Sequence, residues 1–139
     1  MKFKYYSDTL KENLESFEED YAEFINYGPN LFTLLCDILN DKRINKMFRL
    51  EIGAAISYFV IPNDVIPEEI YGPYGYIDDI FVATFVLKKV AKKYGFDFLQ
   101  HYWFDDSDIK EIISECHDRS LEMLEDKVYP ILSYCGLVD

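Results

Sequence analysis

The sequence is short of basic residues. Lys and Arg number 14 against 26 Asp and Glu, which leaves a formal charge of −12 at pH 7. A sequence-independent nucleic-acid binder takes most of its affinity from phosphate contacts and needs the opposite balance, so no direct nucleic-acid binding is expected. Cysteine is scarce. Cys36, Cys116 and Cys135 are odd in number, widely spaced and without a Cys-x-x-Cys pair. That excludes a disulfide scaffold and reads as reduced thiols in a cytoplasmic protein. The two histidines, His101 and His117, lack metal-ligand spacing, and His117 reads as a helix-surface residue. Cys116 and His117 are adjacent, and adjacent helical residues do not face each other, so they make no nucleophile pair. No apolar run approaches the roughly 20 residues that a membrane helix needs. No signal-peptide core follows the first residues, so a transmembrane or secreted form is not expected. Gly-x-Ser-x-Gly, His-Glu-x-x-His and Walker motifs are missing, and with them the commonest routes to nucleophilic, zinc or phosphoryl chemistry. Strand-like alternation, internal repeats and low-complexity tracts are missing too.

What is present is apolar and aromatic. Half of the 139 residues are hydrophobic, with 12 Tyr and 11 Phe, enough to bury a core in one domain spanning residues 1–139. The periodicity is helical. Leu10, Leu14, Phe17, Tyr21 and Phe24 form one stripe opposite Glu15, Glu18, Glu19, Asp20 and Glu23. Gly28-Pro29 ends that helix, and Asn30 is placed to cap a second with Leu31, Leu34, Leu35, Ile38 and Leu39 buried. A third is expected from Ile44 to Val60, where Gly53, Ala54 and Ala55 would admit a close neighbour. Pro62 stops it. A fourth is expected from Ile80 to Tyr94, opened by Asp78 and Asp79 and closed by Gly95. Phe96 to Phe104 reads as a short helix or packed turn whose aromatics join the core. Asp105-Asp106-Ser107-Asp108 announces a last helix, Ile109 to about Val128 with Met123 on its buried stripe, kinked or ended by Pro130. The fold class is therefore all-α, a single-domain bundle of five or six helices around a central antiparallel hairpin.

The hairpin's connection is long. Residues 61–77 hold Pro62, Pro67 and Pro73 with Gly72 and Gly75, and long irregular connections in compact domains are often functional. The hairpin also separates charge. Pairing the third and fourth helices antiparallel puts Lys42, Arg43, Lys46 and Arg49 beside Lys88, Lys89, Lys92 and Lys93, a candidate anion-binding end. Asp64, Glu68, Glu69, Asp78 and Asp79 fall at the other. Acids at the start of the fourth helix and bases at its end suit the helix dipole, whereas bases at the start of the third need another partner.

Tyr58-Phe59-Val60-Ile61-Pro62-Asn63-Asp64-Val65-Ile66-Pro67, followed by Gly75-Tyr76-Ile77-Asp78-Asp79, resembles the YkvA-like family of domains of unknown function. The family pattern is an apolar helix, Pro-x-Asp-x-Ile-Pro, a short turn, Gly-Tyr-x-Asp-Asp and a second apolar helix. The match covers residues 50–90 and implies a helical hairpin with no established activity. Its residues also read as a folding device. Pro62 and Pro67 stiffen the bend, Asp64 can close an Asx-turn, Gly75 supplies backbone freedom, Asp78 is the expected cap of the next helix, and Asp79 adds charge at its positive end.

Three functions follow from these residues. The first is a non-enzymatic helical interaction or adaptor module whose acidic surface binds a protein partner or a second copy, with no cofactor. The second is an enzyme that holds Mg²⁺, Mn²⁺ or Ca²⁺ on Asp64, Glu68, Asp78 and Asp79. The third is an acidic DNA mimic that inhibits a nucleic-acid-binding protein, suggested by 11 acids against 3 bases from Asp97 onward. Weak peripheral contact of the basic end with anionic membranes is a further expectation.

Overall fold

A computed structural model describes residues 23–60 and 76–138, and every described element is helical. A 3-10 turn, Glu23–Tyr27, leads into α1, Gly28–Leu39, and then α2, Lys46–Val60. The second half holds α3, Ile77–Tyr94, α4, Phe96–Tyr102, and α5, Ile109–Leu124. A second 3-10 turn, Glu125–Lys127, precedes α6, Val128–Tyr134. The all-α architecture expected from the periodicity is the one observed. The expected first helix, apart from its end at Phe24, lies outside the described residues.

α3 organises the bundle. Twelve of its 18 residues are buried, more than one face of a surface helix can account for. It packs against α1, α2, α4, α5 and α6, most extensively against α5 and α2. Its charged residues fall at its two ends, which leaves the apolar middle free to meet neighbours all round. Gly28 of α1 faces α3, where a Cβ would meet the Ile80 side chain at 3.8 Å, an ordinary van der Waals contact.

α2 and α3 run antiparallel. The Asn45 N–H donates to the Tyr94 hydroxyl at 2.9 Å. One level along, Lys89 meets Glu51 at 2.7 Å. At the far end the Tyr58 hydroxyl donates to Asp78 at 2.6 Å.

Several boundaries depart from the expected ones, each for a local reason. α1 begins at Gly28 with Pro29 in its first turn. A proline costs nothing there because that N–H has no helical partner, so Gly28-Pro29 opens a helix where it was expected only to close one. Asn30 lies inside that helix and caps nothing. The cap of α2 is Asn45, whose Oδ1 accepts from the Phe48 N–H at 2.9 Å. Of the small residues expected to admit a neighbour, Ala55 is buried, whereas Gly53 and Ala54 are half-buried and among the described residues nothing lies within 4 Å of a Cβ built on Gly53. The break after α5 falls at Glu125, with φ of 51°. Pro130 sits in the first turn of α6, where it is tolerated. Of the aromatics expected in the core, Phe98 and Trp103 are buried, while Phe104 is 59% exposed.

Candidate functional site

Two ends of the α2–α3 pair carry the chemistry. At one end lie Asp78 and Asp79, both fully buried. They occupy the first turn of α3, where negative charge suits the helix dipole. The residue preceding the helix is Tyr76, and it makes no side-chain cap bond. Asp78 thus stands at the second position of α3 and not at the cap position expected for it. Its Oδ2 accepts from the Tyr58 hydroxyl, and its Oδ1 accepts from the Asp79 N–H at 3.1 Å. The carboxylate thus faces a neighbouring helix, and Tyr58 is held in turn by an edge contact with Tyr134 at 6.0 Å. Charge-assisted bonds of this kind are what let a carboxylate leave water. The other expected members of this site, Pro62, Asp64, Pro67, Glu68 and Gly75, lie outside the described residues. Among the described residues no three His, Cys, Asp or Glu side chains gather around a common point for a metal.

At the opposite end the structure brings together the start of α2 and the end of α3, but divides the eight expected anion ligands by task. Arg49 donates to the carbonyls of Leu39, Asp41 and Ile44. It serves the C-terminal end of α1 and the corner after it, where a cation is favourable. Arg43 grips Asp41 through two bonds of 3.0 and 2.8 Å, and the Tyr102 hydroxyl donates to the same carboxylate at 2.6 Å. Arg43, then Tyr102, holds the Asp41 carboxyl well below its ordinary range. These contacts supply the partners that Arg43 and Arg49 required at the start of α2. Lys89 is committed to Glu51. Lys42, Lys46, Lys88, Lys92 and Lys93 are exposed or nearly so at their ammonium ends.

Two clefts open beside these cations. One, of about 390 Å³, is lined by Arg43, Tyr94, Asp97, Phe98 and His101. The other, of about 500 Å³, is lined by Phe85, Lys88, Lys89 and Lys92 of α3, Phe96 of α4 and His117 of α5. His117 is half-buried, stacked on Phe81 at 5.4 Å, with Nδ1 3.3 Å from the Thr84 hydroxyl. Burial, reinforced by the charge of Lys88, pushes its pKa down. The expectation of a helix-surface histidine missed this. A local signal was available, since His117 is four residues after the buried Ile113 and three before the buried Ser120.

Two of the three thiols are held protonated by their environment. Burial pushes Cys116 up to about 12 and Cys36 up to about 11, so neither is a thiolate at neutral pH. Along α5 and α6 the outer surface is acidic, with Glu111, Glu115, Asp118, Glu122, Glu125 and Asp126 exposed. Set among them, Leu121 and Met123 are each 41% exposed, Tyr129 59% and Tyr134 55%. Met123, expected on the buried stripe, faces outward. No helix among the described residues is long and apolar enough to cross a membrane.

Residues 49–85 match the family model described as "Protein of unknown function (DUF1232)", the domain to which the hairpin resemblance pointed. An "Uncharacterized protein ORF9" of Methanothermobacter thermautotrophicus is 31% identical over 128 residues, covering 92% of this chain and 88% of that protein. No solved structure matches. With identity of that level along nearly its whole length, the chain belongs to one family with the ORF9 protein, and within it residues 49–85 form the DUF1232 segment.

Proposed function

We propose that the chain is a non-enzymatic helical interaction module whose acidic α5–α6 surface binds a basic protein partner. One observation carries this reading. Leu121, Met123, Tyr129 and Tyr134 stand substantially exposed on a surface where the exposed acids Glu111, Glu115, Asp118, Glu122, Glu125 and Asp126 outnumber the exposed bases Lys110, Arg119 and Lys127. Tyr and Met are enriched at the cores of protein interfaces, and apolar anchors ringed by charge are how such interfaces combine affinity with selection of the partner. The surrounding carboxylates would steer a basic surface toward the patch and reject an acidic one.

The test is capture of binding proteins at low and high salt, with the Leu121→Glu/Met123→Glu double variant as comparison. The variant changes only exposed positions, so its helicity should match the wild type, and its melting temperature should fall only by the added repulsion of two further negative charges. A defined basic protein bound by the wild type and lost by the variant supports the reading. A second copy in place of that protein, seen as a salt-sensitive dimer by light scattering, would move the assignment to self-association. A strict monomer that holds no partner at either salt level defeats it.

A second reading is a divalent-cation site on Asp64, Glu68, Asp78 and Asp79. Its support is the complete burial of two adjacent carboxylates at the α3 start, since buried carboxylates are paired, hydrogen-bonded or bound to metal. Calorimetric titration of Mg²⁺, Mn²⁺ and Ca²⁺ tests it. Heat that disappears in Asp78→Asn/Asp79→Asn supports it, and no heat with the wild type removes it.

A further inference from the structure

The second cleft is built differently from the rest of the molecular surface. The chain is strongly acidic, yet Lys88, Lys89 and Lys92 line this one opening. Lys88 and Lys92 are four residues apart on α3, so their Cβ atoms are about 5–6 Å apart on one helix face. Like charges at that spacing repel and weaken the helix. Lys89 is neutralised by Glu51 at 2.7 Å. The ion pairs among the described residues are Lys89–Glu51 and Arg43–Asp41, and neither uses Lys88 or Lys92. Lys88 and Lys92 therefore both border this space without an ion-pair partner among the described residues, and the nearby carboxylate is that of Asp118, which acts on His117 in the cleft wall.

The walls of that space are apolar. Phe85 and Phe96 line it, and half-buried His117 contributes a ring held in place by Phe81 and Thr84. Further positive charge comes from Lys110, 5.7 Å from the Phe96 ring centre, while Lys89, paired with Glu51, lies 5.7 Å from that of Phe85. A volume of about 500 Å³ falls in the range of small-molecule sites and exceeds what a bare inorganic anion fills.

We propose that the cleft between α3, α4 and α5 binds a small organic phosphate, with its phosphoryl group between Lys88 and Lys92 and its apolar or aromatic body against Phe85 and Phe96. A phosphate monoester offers nearly two charges and three acceptor oxygens, enough to neutralise both ammoniums, whereas a single carboxylate can bridge them but brings only one charge. The same chemistry is presented by a soluble phosphate ester and by a phospholipid headgroup, and the experiment separates these sources.

Amide chemical shifts of the full chain are followed during titration with phenyl phosphate, with inorganic phosphate, and with vesicles of phosphatidylcholine with or without phosphatidic acid. Phenyl phosphate should move amides of residues 85–96 and 113–120 saturably. It should bind about tenfold more tightly than inorganic phosphate, and Lys88→Gln/Lys92→Gln should weaken it about tenfold or more, as expected for lost charge-assisted bonds. Phe96→Leu should reduce affinity for phenyl phosphate and leave inorganic phosphate unchanged. Lys42→Gln/Lys46→Gln, outside the cleft, should change neither. Binding of phosphatidic acid vesicles that phenyl phosphate competes away, and that Lys88→Gln/Lys92→Gln loses, supports the proposal with a headgroup as the source. Saturable phenyl phosphate binding without vesicle binding supports it with a soluble ester. No saturable shift with any probe overturns the proposal, as does binding indifferent to Lys88 and Lys92 or equal for the two phosphates.

Discussion

Tyr58 brings a hydroxyl into the interior and donates it to the buried Asp78 carboxylate at 2.6 Å. Tyr58→Phe keeps the ring and removes only that donor. A hydrogen bond to a buried charge is at stake, so unfolding in urea at pH 7 should show a loss of about 1–3 kcal/mol. The sequence showed the acids of this end but not their burial, because the partner lies on another helix. His117 supplies a second residue-scale test. Its proton is held less tightly in the folded chain than in the unfolded chain, because burial, then Lys88, disfavours the imidazolium. Between the depressed value and the ordinary one near 6.5, the unfolded chain binds more protons, so stability falls as pH drops through that window. Melting temperatures across about pH 5.5–7.5 should show this slope, and His117→Gln should flatten it.

At the scale of elements, the junction of α3 and α4 is a single glycine. Gly95 has φ of 95° and ψ of 152°, a region closed to residues with a Cβ. Nothing lies within 4 Å of a Cβ built there. Gly95→Ala should therefore be costly for backbone reasons alone, by about 1–3 kcal/mol in chemical denaturation. This corner was legible, since glycine after a run of helical spacing is a stop signal. Asp108 was legible too, and its side chain accepts from the Lys110 N–H at 3.0 Å as an N-cap does. The end of α5 was not. Spacing carried the helix through to Val128, yet the chain turns at Glu125, where the positive φ belongs to a residue type that gives no warning of it. Pro130 gave a misleading warning, because its meaning depends on which turn of a helix it occupies.

For the whole molecule, charge is the dominant constraint. A formal charge of −12 on 139 residues makes the compact state repel itself. Raising NaCl from about 0.02 to about 0.5 M shrinks the screening length several-fold and should raise the melting temperature. A fall would mean that Arg43–Asp41 and Lys89–Glu51 outweigh the general repulsion. The all-α class was readable because helical spacing is a local signal that recurs in every described element. The functional surfaces were less readable. The basic end of the hairpin was visible as a cluster, but which of its cations were already occupied depended on contacts spanning 38 residues for Lys89 and Glu51, and no local pattern encodes those.

The Asp41 carboxylate joins the α1–α2 corner to the end of α4, through Arg43 on one side and Tyr102, 61 positions away in sequence, on the other. Such a clasp makes two surface corners one cooperative opening unit. Removing it with Tyr102→Phe should therefore quicken amide hydrogen exchange near residues 41–46 and 96–103 together. Sequence neighbours of either corner that do not share the clasp should keep their protection, so that fraying at one rim of the bundle is transmitted to the other without passing through the core.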